Sequence, residues 1–157
     1  TVRENLQFPL RRHPERRVGI DEVQLIRDTL RSVGLEYAID MMPADLSGGM
    51  KRRVALARTL ILKPKVILYD EPTTGLDPIT ANEIIQLMLK IQRELNTASL
   101  IITHDMDCAR VISNRMIILQ DGINYAEGTY EELAKSTDPK VKAFFKEVQN
   151  RNHHGQD

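Results

Sequence analysis

Only one cysteine, Cys108, occurs in the 157 residues, so no internal disulfide is possible, as suits a protein of a reducing compartment. Charge of one sign is also lacking. Lysine plus arginine number 22 and aspartate plus glutamate 22, for a net charge of 0, which leaves no electrostatic footprint for nucleic acid. Long apolar runs are missing. Stretches such as Val66 to Tyr69 and Leu100 to Ile102 are far too short to span a bilayer. No G-x-x-x-x-G-K-[ST] loop occurs in the chain, so the main backbone cradle for a nucleotide's phosphates is absent from these residues. There is no internal repeat and no low-complexity tract.

What is present is ordinary for a globular domain: 41% hydrophobic and 28% charged residues, in a chain long enough to bury a core. It starts at Thr1 rather than methionine, which reads as a cut in a longer protein. Residues 1–19 read as an entry segment and loop. Pro9 and Pro14 bracket the basic stretch Arg11-Arg12-His13, which Arg16-Arg17 continues. Ile20, Val23, Ile26, Leu30 and Val33 recur at helical spacing and stop at Gly34. Residues 35–45 predict a short helix broken near Pro43. Ser47 caps a predicted helix to about Leu62, with Met50, Val54, Ala57 and Ile61 as its buried stripe and Pro64 beyond its end.

From residue 65 the pattern changes. Lys65 to Asp70 is a short β-branched apolar run, the mark of a buried parallel strand. A helix is predicted over 79–95, a strand over 99–103, a helix over 106–113 and a strand over 115–120. Asp121-Gly122 signals a hairpin into 123–126. Two helices follow, over 129–135 and 139–150, the second with Val141, Phe144, Phe145 and Val148 on one face, before a polar tail. Alternating strands and helices argue an α/β fold with a parallel sheet, preceded by a helical portion.

Four short motifs carry chemistry. The strand 66–69 delivers Asp70 and Glu71 at its carboxyl end, where ligands bind in open α/β sheets. An aspartate there can hold Mg²⁺, a hard ion that keeps several waters. The adjacent glutamate can polarise an attacking water. Ser47-Gly48-Gly49 opens a helix: two glycines let amides approach an anion, and the helix start adds free N–H groups and partial positive charge. His104 follows a strand and can reach a phosphate. Gly75-Leu76-Asp77-Pro78 is a turn entering a helix beside Glu71. Taken singly, each also reads as plain structure: an acidic strand end, a capped helix, a bonded loop histidine, a turn. Their joint order and spacing is the specific signal.

In that order the motifs resemble the signature motif (Leu46 to Met50), Walker B pair (Asp70, Glu71), D-loop (Gly75 to Pro78) and switch histidine (His104) of ATP-binding cassette ATPases. Phe8-Pro9-Leu10, Met50, Asp77-Pro78-Ile79-Thr80 and Asp138-Pro139-Lys140-Val141 with Phe144-Phe145 are similar to a narrower group, the ATPases of Mce-associated phospholipid and toluene-tolerance transporters. The resemblance implies an α/β P-loop NTPase-like (RecA-like) parallel sheet, truncated at its N-terminus, with part of the family's helical subdomain. The expected divisions are 1–62 helical subdomain, 63–136 the C-terminal part of the ATPase core and 137–157 a helix and tail.

It implies ATP and Mg²⁺ as ligands, with Asp70 on the metal, Glu71 as general base and His104 as sensor of the γ-phosphate. Ser47, Gly48 and Gly49 would contact ATP held by a second nucleotide-binding domain paired head to tail, and Asp77 the opposing site. The remaining partners would be integral membrane permease subunits, met at the cytoplasmic face of the inner membrane, and no nucleic acid. Transport of a phospholipid or another hydrophobic substrate is the leading expectation. A non-transport cassette ATPase acting on ribosomes or DNA, or a non-catalytic regulatory piece, stays open. With no phosphate loop, the isolated chain is expected to be inactive, and its exposed apolar strand faces are expected to lead to self-association or an unusual packing.

Overall fold

Helices come first because the N-terminal half of the chain repeats apolar residues every three or four positions. The computed structural model describes residues 1–16 and 19–145. Its first helix corrects a sequence expectation: 1–12 is not an entry loop but opens α1 (Val2–Arg12). Val2, Leu6 and Leu10 form a stripe of four-residue spacing that is at most 1% exposed. Thr1 and Glu4 close a capping box at its start. Two first-turn amides find carbonyls in another segment, Val2 N–H on Met41 and Arg3 N–H on Ile39, each at 2.9 Å. Pro9 inside the helix removes one intrahelical donor, and the buried stripe outweighs that loss.

Helix α2 (Glu22–Ser32) starts at Asp21, whose carboxylate accepts from the amides of Val23 and Gln24. The expected short helix over 35–45 is instead two separate 3₁₀ turns, Glu36–Ala38 and Pro43–Asp45. Helix α3 (Gly48–Leu60) is capped by Ser47 as the sequence indicates. Val54, Ala57 and Ile61 are buried and Met50 is half-buried. Arg53 ties α3 to its neighbours, donating to the Val33 carbonyl at 3.4 Å and pairing with Glu83 at 2.6 Å.

Strand β1 (Val66–Asp70) pairs in parallel with β2 (Ala98–Ile102), with Leu68 opposite Leu100 and Asp70 opposite Ile102. Helix α4 (Pro78–Leu95) is the crossover between them. Ile67 and Tyr69 face the helical core, where Leu87 and Ile91 of α4 also pack. The expectation that β1 is buried on both faces does not hold. Its other face carries Val66 at 56% and Leu68 at 73% exposure, next to Leu100 at 58% and Ile102 at 60%.

The chain divides into two compact units, Thr1–Ile102 and a second beginning at Thr103. The second holds α5 (Met106–Ile112), the antiparallel pair β3 (Met116–Gln120) and β4 (Ile123–Gly128), and α6 (Tyr130–Ala134), with 139–145 helical. The strand at 116–120 therefore does not extend the parallel sheet, which has two strands among the described residues. The hairpin turns at Asp121 and Gly122, both with positive φ (51° and 78°), as a two-residue loop of this kind requires. Ile118, Leu133 and Val141 form its small core, with Phe145 against them. Val148 and the polar tail lie outside the described residues.

Candidate functional site

Parallel pairing puts the carboxyl ends of β1 and β2 side by side, and the acidic residues follow from that. Asp70 is the last residue of β1 and is exposed. The chain then turns sharply. Glu71 takes a left-handed backbone, φ +46°, which a side chain resists by about 1–3 kcal/mol. Its N–H donates to the Ile102 carbonyl at 2.9 Å, and its own carbonyl accepts from the Thr74 N–H at 3.3 Å. Thr74 Oγ1 donates to Glu71 Oε2 at 2.9 Å. Strain at a residue aimed out of a strand tip is a mark of functional sites, and sequence reading missed it here.

The second cluster is built where the starts of α3 and α4 meet. Ser47 Oγ accepts the Met50 amide at 3.2 Å, and Ser47 and Gly48 are exposed. Gly49 is buried, and a Cβ placed on it would stand 2.6 Å from Thr80 Cγ2, in the first turn of α4. No side chain fits there without displacement. A Cβ on Gly48 would meet Leu76 at 3.5 Å. Asp77 caps α4: its Oδ1 accepts from the amides of Ile79 at 3.1 Å and Thr80 at 3.0 Å, and its Oδ2 accepts the Thr80 hydroxyl at 2.5 Å. The Thr80 hydroxyl, then the Thr80 amide, hold the Asp77 carboxyl below the usual carboxylate range. From α3, Arg52 Nη2 donates to the Thr74 carbonyl at 3.2 Å.

Six of the seven residues singled out in the sequence thus fall in one unit, in two groups joined through Arg52 and Thr74. His104 stands in the other unit, exposed, just after β2 and just before Asp105, the cap of α5. The sequence reading gives no site role to Arg52 or Thr74, and Thr80 enters it only within the run Asp77-Pro78-Ile79-Thr80. Locally nothing separates Arg52 from its solvated neighbour Lys51; its contact exists only once the two helix starts meet.

A cleft beside these groups, lined by Arg52, Leu56, Tyr69, Asp70, Pro72 and Met88, has a volume of about 150 Å³. Small-molecule pockets run to roughly 300–1,000 Å³, so this cleft is too small for a nucleotide. A larger recess, about 460 Å³, lies by Arg27, Arg31 and Tyr37, but Arg31 there is already bonded to Glu36 at 2.8 Å and Asp28 at 2.6 Å. Burial of Tyr69 raises its phenol to about 12, so it stays neutral. Among the described residues no three His, Cys, Asp or Glu side chains gather as a metal cage. A single exposed carboxylate suits Mg²⁺ that completes its shell with phosphate oxygens and water.

The family model for the ABC transporter matches residues 1–74. The intermembrane phospholipid transport system ATP-binding protein MlaF of Haemophilus influenzae is 40% identical over 146 residues, which cover 91% of this chain and 54% of that protein. The methionine import ATP-binding protein MetN 2 of Listeria monocytogenes is 43% identical over 149 residues, covering 92% of this chain and 42% of that one. The chain thus spans about half the length of the curated relatives it matches. Among solved structures, cbiO1 from Clostridium perfringens, part of the transporter complex cbiONQ, aligns with a TM-score of 0.76 at 26% identity, over 98% of this chain and 61% of that one. The ATP-binding cassette MJ0796, seen as a dimer with ADP and phosphate, aligns with a TM-score of 0.70 at 34% identity, over 83% of this chain and 56% of that one.

Proposed function

Because this chain belongs to the ABC transporter family, we propose that it is part of an ATP-hydrolysing subunit that couples hydrolysis to the transport of a phospholipid or another hydrophobic substrate. The observation that carries the reading is the meeting of the Ser47-Gly48-Gly49 turn with the loop that follows Asp70 and Glu71, made possible by the bare Cα of Gly49 against Thr80. Bound ATP with Mg²⁺ supplies a γ-phosphate open to attack by water. Asp70, at the exposed tip of β1, would hold the metal. Glu71, placed at the strand tip by its turn, accepts the proton of the attacking water. Ser47, Gly48 and Gly49 offer a hydroxyl, amides and a helix start to the γ-phosphate of ATP carried by a second copy of the domain. Asp77 keeps α4 against that turn and faces the opposing site. His104 senses the γ-phosphate.

The partners in this reading are a second nucleotide-binding domain, head to tail, and membrane permease subunits reached through the helical portion 1–45, with no nucleic acid. No helix among the described residues is long and apolar enough to cross a membrane. A peripheral place at the cytoplasmic face of the inner membrane follows from the permease partnership. The 157 residues alone, lacking a phosphate loop, give no Mg²⁺-dependent turnover. The test is Glu71→Gln in the full-length protein. ATP binding is retained and turnover falls by roughly 10²–10⁴. Turnover at the wild-type rate would remove Glu71 from the reaction.

A further inference from the structure

Catalysis by Glu71 depends on where its carboxylate points, and the carboxylate is linked to another element. Thr74 Oγ1 donates to Oε2 at 2.9 Å. The Thr74 carbonyl in turn accepts from Arg52 Nη2 of α3 at 3.2 Å. The backbone of Glu71 is pinned separately, to Ile102 of β2 at 2.9 Å. Main chain and side chain of the same residue are thus held from different sides: β2 sets its position, while α3, through Arg52 and Thr74, sets its direction. A carboxylate's terminal torsion is broad and weakly restrained by itself, so a donor on one oxygen fixes an angle that the backbone does not.

We propose that Thr74 is a positioning residue for Glu71 and that Arg52 is the strut that holds Thr74. The inference rests on the reading of Glu71 as the general base. Its consequence is that the Ser47–Gly49 turn and the Glu71 carboxylate move together, since Arg52 lies on the same helix as the turn. A shift of α3 caused by phosphate at its start is passed to the base through two hydrogen bonds. The phosphate contact of one pocket and the base of another are thereby joined within a single chain.

Thr74 and Arg52 are both exposed, and surface substitutions of this kind leave folding almost unchanged. Loss of activity in their variants can therefore be separated from loss of structure. In the full-length protein, Thr74→Val keeps the shape and removes the donor, and kcat falls by roughly tenfold to a hundredfold with KM for ATP unchanged. Thr74→Ser, which restores the hydroxyl, stays within about twofold of wild type. Arg52→Ala lowers kcat in the same direction, and the double variant with Thr74→Val is no slower than the slower single one, because both act through one chain of contacts.

A readout independent of turnover is ATP affinity in the Glu71→Gln background, which Thr74→Val leaves unchanged; urea midpoints of all variants confirm intact folding. A wild-type kcat for Thr74→Val, an equal defect in Thr74→Ser, or effects of Arg52 and Thr74 that multiply would overturn the proposal. The two readings fail differently. Turnover surviving in Glu71→Gln removes the base itself, whereas an inactive Glu71→Gln beside a fully active Thr74→Val removes only the strut.

Discussion

The helices α1 to α3 and the strand pair β1–β2 draw on the same apolar residue types and bury them to opposite extents. Val2, Leu6, Ile26 and Leu30 are at most 0% exposed, whereas Leu68 stands at 73% and Ile102 at 60%. The difference lies in what each element needs from its neighbours. An amphipathic helix has one apolar stripe, and three helices with their linking turns close a core around those stripes. A parallel strand has two apolar faces and needs a layer on each. Here α3 and α4 cover one face, and the described residues of this unit leave the other to solvent.

The largest effect that sharpens the contrast is on stability. Leu30→Ala opens a cavity in a closed core and costs about 2–5 kcal/mol. Leu68→Ala removes a side chain already in water and shifts the urea midpoint little. Equal losses from the two would mean that the strand face is covered in solution, and sedimentation separates the two ways that can happen. Self-association that Leu68→Ser with Leu100→Ser abolishes identifies a second copy as the cover. Equal losses in a clean monomer at high concentration would mean that the chain itself covers the face, and would break the comparison.

Next in size is Gly49→Ala. The new Cβ meets Thr80 Cγ2 at 2.6 Å, and Thr80 cannot swing away without losing its bond to Asp77. Overpacking of this sort costs about 1–3 kcal/mol. Thr80→Ser removes the offending methyl and keeps the hydroxyl, so the pair Gly49→Ala with Thr80→Ser recovers most of the loss. That non-additivity, read from urea midpoints, is the signature of direct contact. Additive effects would mean that the starts of α3 and α4 do not touch.

Legibility in the sequence follows the same line between local and non-local causes. Helices α2, α3 and α4, the pairing strands and the Asp121-Gly122 hairpin were readable because spacing and caps are local signals. Helix α1 was not, because Pro9 and the following basic residues look like a loop until residues 39–41 arrive to take its first amides. The exposure of one β1 face was expected from the missing phosphate loop, but not from the strand itself, whose composition reads as buried on both sides. The site divides likewise. Ser47, Gly48, Gly49, Asp70, Glu71, Asp77 and His104 can be picked out as candidates from residue type and order alone. The left-handed turn of Glu71 and its ties to Thr74 and Arg52 were not, since both arise from β2 and α3 packing against the strand tip.

A smaller effect tests the helical region on its own. Asp21 caps α2 with two amide bonds, at 3.0 and 3.1 Å. Asp21→Ala costs about 1 kcal/mol, measured as a shift in the denaturation midpoint without a change in slope. A loss several times larger would mean that the core of α1 to α3 depends on this cap and is less self-sufficient than its burial implies.

The smallest effect lies at the α4 start and shows in acid. The Thr80 hydroxyl and amide lower the folded-state pKa of Asp77 below its ordinary 3.8. A carboxylate whose pKa is depressed by folding stabilises the native state above the unfolded value and loses that contribution as pH falls through the folded one. The relevant window therefore lies below about pH 4. Asp77→Asn keeps a capping oxygen and discards the charge. Its midpoint lies below that of the parent at neutral pH, and the gap narrows on titration through the window. A gap that stayed constant would mean that the charge of Asp77 contributes nothing at this terminus, leaving its capping hydrogen bonds and the Gly49 contact to hold Thr80, and with it the start of α4, against the Ser47–Gly49 turn.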